Sequence, residues 1–307
     1  MEKFDLGLAY VWEYDRDFLR AAEAMLQSAG LTTYIISEHN IGEVKEAVAN
    51  RELGFRFYLD RAWDVDDRFT ELGNMLHRRR TRIFNPYKNV THAIDKATMH
   101  LEFITSGIHV PYSIIIPPFD EKEELYISLK DLALLGRPFI IKPCNNTGGG
   151  IGVVTGAESL SDILTERMNQ SEDKYLIQEK ITPLYLDGRR AWFRCFWAFS
   201  QPVITWWDDQ THLYEELFPY QFDLYKLRPL LTITKKIANL TGLDFFSTEI
   251  VLSDQQKFLA IDYINDQCDM RFRSGHYDGI PDNTAQTIIR LMRDYIIKQK
   301  KLNRNQS

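Results

Sequence analysis

Lys142 interrupts the apolar run Phe139-Ile140-Ile141. It is followed by Pro143-Cys144-Asn145-Asn146-Thr147, three consecutive glycines and a second apolar stretch from Ile151. A lysine inside such a strand calls for an anion, and a glycine-rich turn lets backbone N–H groups approach a phosphate with no Cβ in the way. The stretch lacks the Gly-Lys-[Ser/Thr] ending of a P-loop and does not open a helix as GxGxxG does. It reads either as a phosphate grip on a β-hairpin or as a plain flexible turn with Lys142 reaching solvent. Three further features flank it in order. Asp95-Lys96 opens a helical pattern, Ile177-Gln178-Glu179-Lys180-Ile181 leaves a strand for a linker, and a hairpin carries Glu249 on one strand with Asp262 and Asn265 on the other. Two cations, a free backbone edge and facing carboxylates are what it takes to neutralise a triphosphate, recognise a base and hold Mg²⁺. Plainer roles compete: Asp95 as a helix N-cap, Glu179 as a solvated linker residue, and Glu249 and Asp262 as ion-pair partners of Arg194 or Arg271.

The elements that would position these residues follow from periodicity. The first ninety residues alternate strands (Leu6–Val11, Thr32–Ile36, Phe55–Leu59, Thr81–Phe84) with helices (Phe18–Ser28, Ile41–Arg51, Arg68–Arg78). That alternation implies βαβ units and a parallel, doubly wound sheet, whose ligand crevice lies at the strand ends beside Trp12–Asp15 and Asp60-Arg61. Further on, helices are expected over Ala93–Ser106, Leu125–Leu135, Leu160–Met168, Asp223–Thr241 and Asn283–Lys298. Strands are expected at Tyr112–Ile116, Tyr175–Gln178, Arg190–Phe199 and Val203–Trp207, with a last hairpin formed by Phe246–Leu252 and Lys257–Ile264. The fold class is α/β, becoming α+β toward the C-terminus.

The chain has 307 residues, 26% of them charged, and a net charge of −6, which argues against a general nucleic-acid binder. Cys144, Cys195 and Cys268 show no CxxC spacing and read as free thiols in a reducing compartment. The opening Met-Glu-Lys-Phe-Asp is unlike a signal peptide, and no apolar run approaches the ~20 residues of a membrane span. The expectation is a cytoplasmic protein without a membrane partner.

This ordered set, from about Thr91 to about Met270, resembles the ATP-grasp superfamily. The resemblance implies an N-terminal α/β domain over residues 1–90 and an ATP-grasp domain over 91–307, split into a central part (91–178) and a C-terminal part (179–307). It implies that Lys96 and Lys142 reach the phosphates of ATP and that Gly148, Gly149 and Gly150 form the loop closing over them. Gln178, Glu179 and Ile181 would lie along the adenine and ribose, and Arg194 would touch the γ-phosphate or an acyl-phosphate oxygen. Glu249, Asp262 and Asn265 would hold Mg²⁺. The sequence departs from the family pattern at the last of these. Two residues separate Asp262 from Asn265, so strict alternation puts them on opposite faces; either a bulge restores the geometry or Asp266 or Asp269 substitutes. The implied activity is ligation of a small-molecule carboxylate to an amine through an acyl phosphate. Arg61, Arg271 or Arg273 would be candidates to grip a carboxylate. The alternatives are a kinase of a small metabolite and a non-catalytic nucleotide-binding module, and a homodimer is compatible with an apolar face on the N-terminal domain.

Overall fold

The computed structural model describes residues 1–145 and 152–304. Gly148, Gly149 and Gly150 lie outside the described residues. In chain order the strands and helices are β1 (Glu2–Tyr10), α1 (Arg16–Ser28), β2 (Thr33–Ile36), α2 (Ile41–Ala49), β3 (Leu53–Arg61), α3 (Asp67–Arg78), β4 (Arg82–Phe84), α4 (Tyr87–Ala93), α5 (Lys96–Thr105), β5 (Ser113–Ile116), α6 (Leu129–Leu135), β6 (Phe139–Pro143) and β7 (Val154–Ala157). They continue as α7 (Leu160–Asn169), β8 (Tyr175–Glu179), β9 (Tyr185–Leu186), β10 (Arg189–Arg190), β11 (Trp192–Ala198), β12 (Gln201–Trp207), β13 (Tyr214–Glu216), α8 (Pro219–Leu224), α9 (Arg228–Thr241), β14 (Phe245–Leu252), β15 (Phe258–Asn265) and α10 (Asp282–Arg304). They fall into two compact units. The first comprises Met1–Asn89, Arg194–Ser247 and Asp266–Ser307; the second comprises Val90–Phe193 and Thr248–Asn265.

In the first unit β1 pairs in parallel with both β2 and β3, and β3 with β4, giving the order β2-β1-β3-β4. The apolar positions of β3, Phe55 and Tyr58, meet those of α2 and α3, Val44, Phe69 and Leu72, in one buried core. Gly73 in α3 is needed for this packing, because a Cβ there would collide with the hydroxyl of Tyr87, which donates to Asp60. On the antiparallel side of this unit β12 pairs with β13. Helix α10 packs on α1, and Lys300 Nζ reaches Asp5 at 2.7 Å. Asn85 joins the N-terminal stretch to β14: its amide accepts from the N–H groups of Asp244 and Phe245 at 2.8 Å each and donates to the Phe245 carbonyl at 2.5 Å, all of it buried.

In the second unit a four-stranded antiparallel sheet runs β5-β8-β6-β7. Its core gathers Ile116, Leu135, Phe139, Ile141, Ile163 and Ile177. The Thr248–Leu252 part of β14 lies beside β15, and the Ala260 N–H donates to the His109 carbonyl at 2.9 Å.

Three expected helices are shorter or divided. The pattern over Ala93–Ser106 breaks before Lys96, because Asp95 is extended and its carboxylate caps the N–H groups of Ala97 and Thr98. Helix α6 begins only at Leu129, where the Ser128 hydroxyl accepts from the Asp131 N–H. The expected helix Asp223–Thr241 is two helices, α8 and α9, separated by Tyr225–Leu227 with Lys226 at φ 55°. Strand β13 and the short β9–β10 ladder have no periodic signal of their own.

Asn85→Ala removes three buried hydrogen bonds and should cost about 2–4 kcal/mol in urea unfolding. A loss under ~1 kcal/mol would mean that the junction is not held there.

Candidate functional site

Within the second unit the structure brings together Lys96, Lys142, Glu249 and Asp262. Lys142 points from β6 into the interior, is 7% exposed, and donates from Nζ to the Ile261 carbonyl at 3.1 Å. Burial pulls its ammonium below the ordinary lysine range. The carboxylates of Asp262 and Glu249 act in the opposite sense, and the nearby charge of Lys96 adds to the depression. Two carboxylates and one further lysine thus sit within electrostatic reach of Lys142.

Each is placed by a local cause. Lys96 occupies the first turn of α5, and its own N–H donates to the Cys144 carbonyl just beyond β6 at 3.2 Å. A cation at a helix N-terminus faces the positive end of the macrodipole. Glu249 is half-buried on β14, and its Oε2 accepts from the indole N–H of Trp192 at 2.9 Å. The Thr248 hydroxyl donates to the Asp262 carbonyl at 2.9 Å, locking the hairpin backbone next to both carboxylates. Behind them the Tyr263 hydroxyl and Nδ1 of His100 share a hydrogen bond of 2.5 Å, and Phe103 packs edge-on against the Tyr263 ring at 5.0 Å. Burial holds the His100 imidazole down at about 4, so it is neutral at pH 7.

The other expected residues are divided between the two units. Glu179 and Ile181 border a cleft of about 300 Å³, lined also by His109, Lys180, Thr182 and Leu259. Glu179 is tied there by Oε1, which accepts from the Tyr112 N–H at 2.7 Å. Gln178 is fully buried in β8, its amide N–H within 3.5 Å of the Ser113 hydroxyl, and it is not among the residues lining the cleft. Asn265 closes β15, half-exposed. The carboxylates proposed to replace it are engaged elsewhere, in the first unit: Asp266 accepts from the Trp63 indole at 2.8 Å, and Asp269 chelates Arg271 at 2.6–3.0 Å. Arg194 also belongs to the first unit, with its guanidinium 4.7 Å above the Trp207 ring.

Among the described residues no three His, Cys, Asp or Glu side chains converge as a metal cage. An oxygen pair such as Glu249 and Asp262 still suits Mg²⁺, which is commonly held by one or two carboxylates plus substrate phosphates and water. Sequence reasoning missed the Trp192–Glu249 and His100–Tyr263 contacts. Trp192 stood among four tryptophans and read as core, and His100 carried no local partner.

Solved structures share this architecture. An ATP-grasp RimK domain protein from Sphaerobacter thermophilus superposes with a TM-score of 0.61 at 18% identity, over 94% of this chain and 98% of that one. D-alanine–D-alanine ligase from Bacillus anthracis, solved with ATP, gives 0.65 at 13% identity over 99% of both chains. The ATP-grasp ligase PsnB, solved with a minimal precursor, Mg and ADP, gives 0.61 at 13% identity over 94% and 98%. No protein-family model and no curated protein matches the sequence. The chain has the ATP-grasp fold. No helix among the described residues is long and apolar enough to cross a membrane.

The depressed His100 gives a signed pH prediction. A histidine held neutral by the fold contributes stability above its ordinary value near 6.5 and loses it as pH falls toward about 4. His100→Gln should therefore flatten the unfolding free energy between pH 6.5 and 4 relative to the wild type. Parallel curves would contradict the assignment.

Proposed function

We propose that the protein is an ATP- and Mg²⁺-dependent ligase that joins a carboxylate to an amine. The observation that carries this reading is the convergence of Lys96, Lys142, Glu249 and Asp262. Two lysines held close together inside a fold, one on a helix N-terminus, are poorly placed for stability and well placed for a polyphosphate. In this reading the two lysines hold the phosphates of ATP, Glu179 and Ile181 lie along the nucleoside, and Gln178 supports that strand from within the sheet. Glu249 and Asp262, with Asn265, hold the Mg²⁺, which neutralises phosphate charge when bound.

The chemistry asks for positioning more than for acids and bases. A substrate carboxylate oxygen attacks the γ-phosphorus, the bond to the β,γ-bridging oxygen breaks, and ADP leaves. Lys142 and Lys96 offset the charge moving onto the leaving group. The amine nitrogen then attacks the acyl carbon, the C–O bond breaks, orthophosphate leaves, and the nitrogen gives up its proton to water. The buried thiols take no part: burial pushes Cys144 and Cys268 up to about 12, far from a nucleophilic thiolate.

Incubation of the protein with ATP, Mg²⁺, hydroxylamine and a panel of carboxylic acids should yield a hydroxamate, ADP and orthophosphate in equal amounts for the true acid. A phosphoester with ADP and no free phosphate would move the reading to a kinase. No nucleotide turnover with any acid or alcohol would leave a binding module.

A further inference from the structure

Lys96 and Lys142 sit on different elements, α5 and β6, and a closed ring of hydrogen bonds within the second unit ties those elements together. The Lys96 N–H donates to the Cys144 carbonyl at 3.2 Å, and the Cys144 N–H donates to the Lys174 carbonyl at 2.8 Å. The Lys174 ammonium donates in turn to Asp95 Oδ2 at 2.5 Å, and Asp95 is the residue before Lys96. Asp95 Oδ1 accepts from the N–H groups of Ala97 and Thr98 at 2.9 and 3.1 Å, so both oxygens are engaged and the same carboxylate starts the helix. Lys174 therefore enters the ring twice, with its carbonyl on the strand side and its ammonium on the helix side. Its neighbour Asp173, 4% exposed, adds a fork to the residue after Cys144. Asn145 donates its N–H to Asp173 Oδ2 at 2.9 Å and its amide to Oδ1 at 2.8 Å.

Stability alone does not account for this use of Lys174. Its side chain is 36% exposed and that of Asp95 18%, and ion pairs so open to water add little to a fold. An aspartate also caps a helix without a cation beside it. What the pair adds is local. Burial acts to raise the Asp95 carboxyl, but the Lys174 ammonium and the capping N–H groups outweigh it and hold the group below the ordinary carboxylate range. An ionised Asp95 engaged on both oxygens fixes the first turn of α5, and it does not draw the neighbouring Lys96 ammonium away from a phosphate. We propose that Lys174 is a positioning residue: through Asp95 it sets the first turn of α5 against the end of β6 and so holds Lys96 at the spacing from Lys142 that a polyphosphate requires. This rests on the ligase reading and extends it to a residue outside the phosphate contacts.

The test is calorimetric titration of the full chain with AMP-PNP and Mg²⁺, comparing the wild type, Lys174→Met, Asp95→Asn, Lys96→Met and the two double variants that carry Lys96→Met. Asparagine keeps the helix cap and removes the carboxylate, so Asp95→Asn breaks the ion pair while the helix start is retained. Lys174→Met and Asp95→Asn should each weaken the nucleotide about tenfold. On the Lys96→Met background neither should weaken it by more than about twofold, because a residue that acts through Lys96 has nothing left to position. The proposal is overturned if both single variants bind as the wild type does, or if the same loss recurs on the Lys96→Met background, which would mark a general structural role. Lys142→Met in the same series separates this failure from that of the ligase reading. If Lys142→Met loses the nucleotide while Lys174→Met and Asp95→Asn keep it, only the positioning role falls. If the wild type does not bind, or Lys142→Met binds as tightly as the wild type, the reading falls and this proposal with it.

Discussion

The buried ammonium of Lys142 is the constraint around which the second unit is arranged. A lysine inside a protein is costly unless its charge is compensated. Here burial and Lys96 lower its proton affinity, and Asp262 and Glu249 raise it. Neither pair would be well placed alone. Two carboxylates on adjoining strands repel, and so do two lysines of which one faces a helix N-terminus. Interleaved, they form a nearly neutral set that can exchange internal partners for the phosphates and metal of a ligand.

The scaffold holds this set by backbone and by neutral side chains. The Cys144 carbonyl takes the first N–H of α5, the Ile261 carbonyl takes Lys142 Nζ, and the indole of Trp192 fixes Glu249. The His100–Tyr263 pair adds a hydrogen bond without adding charge, because the imidazole is neutral. Such an arrangement favours preorganisation over stability, as expected where electrostatics carries the chemistry.

Much of the fold was legible because it rests on local periodicity. The alternating strands and helices of the first ninety residues needed only the spacing of apolar side chains, and the parallel order followed. Lys142 stood out because one charge broke an apolar strand. What was not legible depends on single side-chain bonds or on distant partners. The break before Lys96 lies in the carboxylate of Asp95, and an unbroken apolar rhythm hid it. The gap between α8 and α9 turns on one left-handed residue, Lys226. The spacing of Asp262 and Asn265 left the expected metal ligands open; in the structure Asp266 is engaged with Trp63 and Asp269 with Arg271.

The most direct test of the central claim is the affinity of AMP-PNP for the wild type, Lys142→Met and Glu249→Gln, each with and without Mg²⁺. The account predicts binding that Mg²⁺ strengthens in the wild type, a loss of about tenfold or more in Lys142→Met, and a loss of the Mg²⁺ dependence in Glu249→Gln. Wild-type affinity in both variants, with or without the metal, would contradict it.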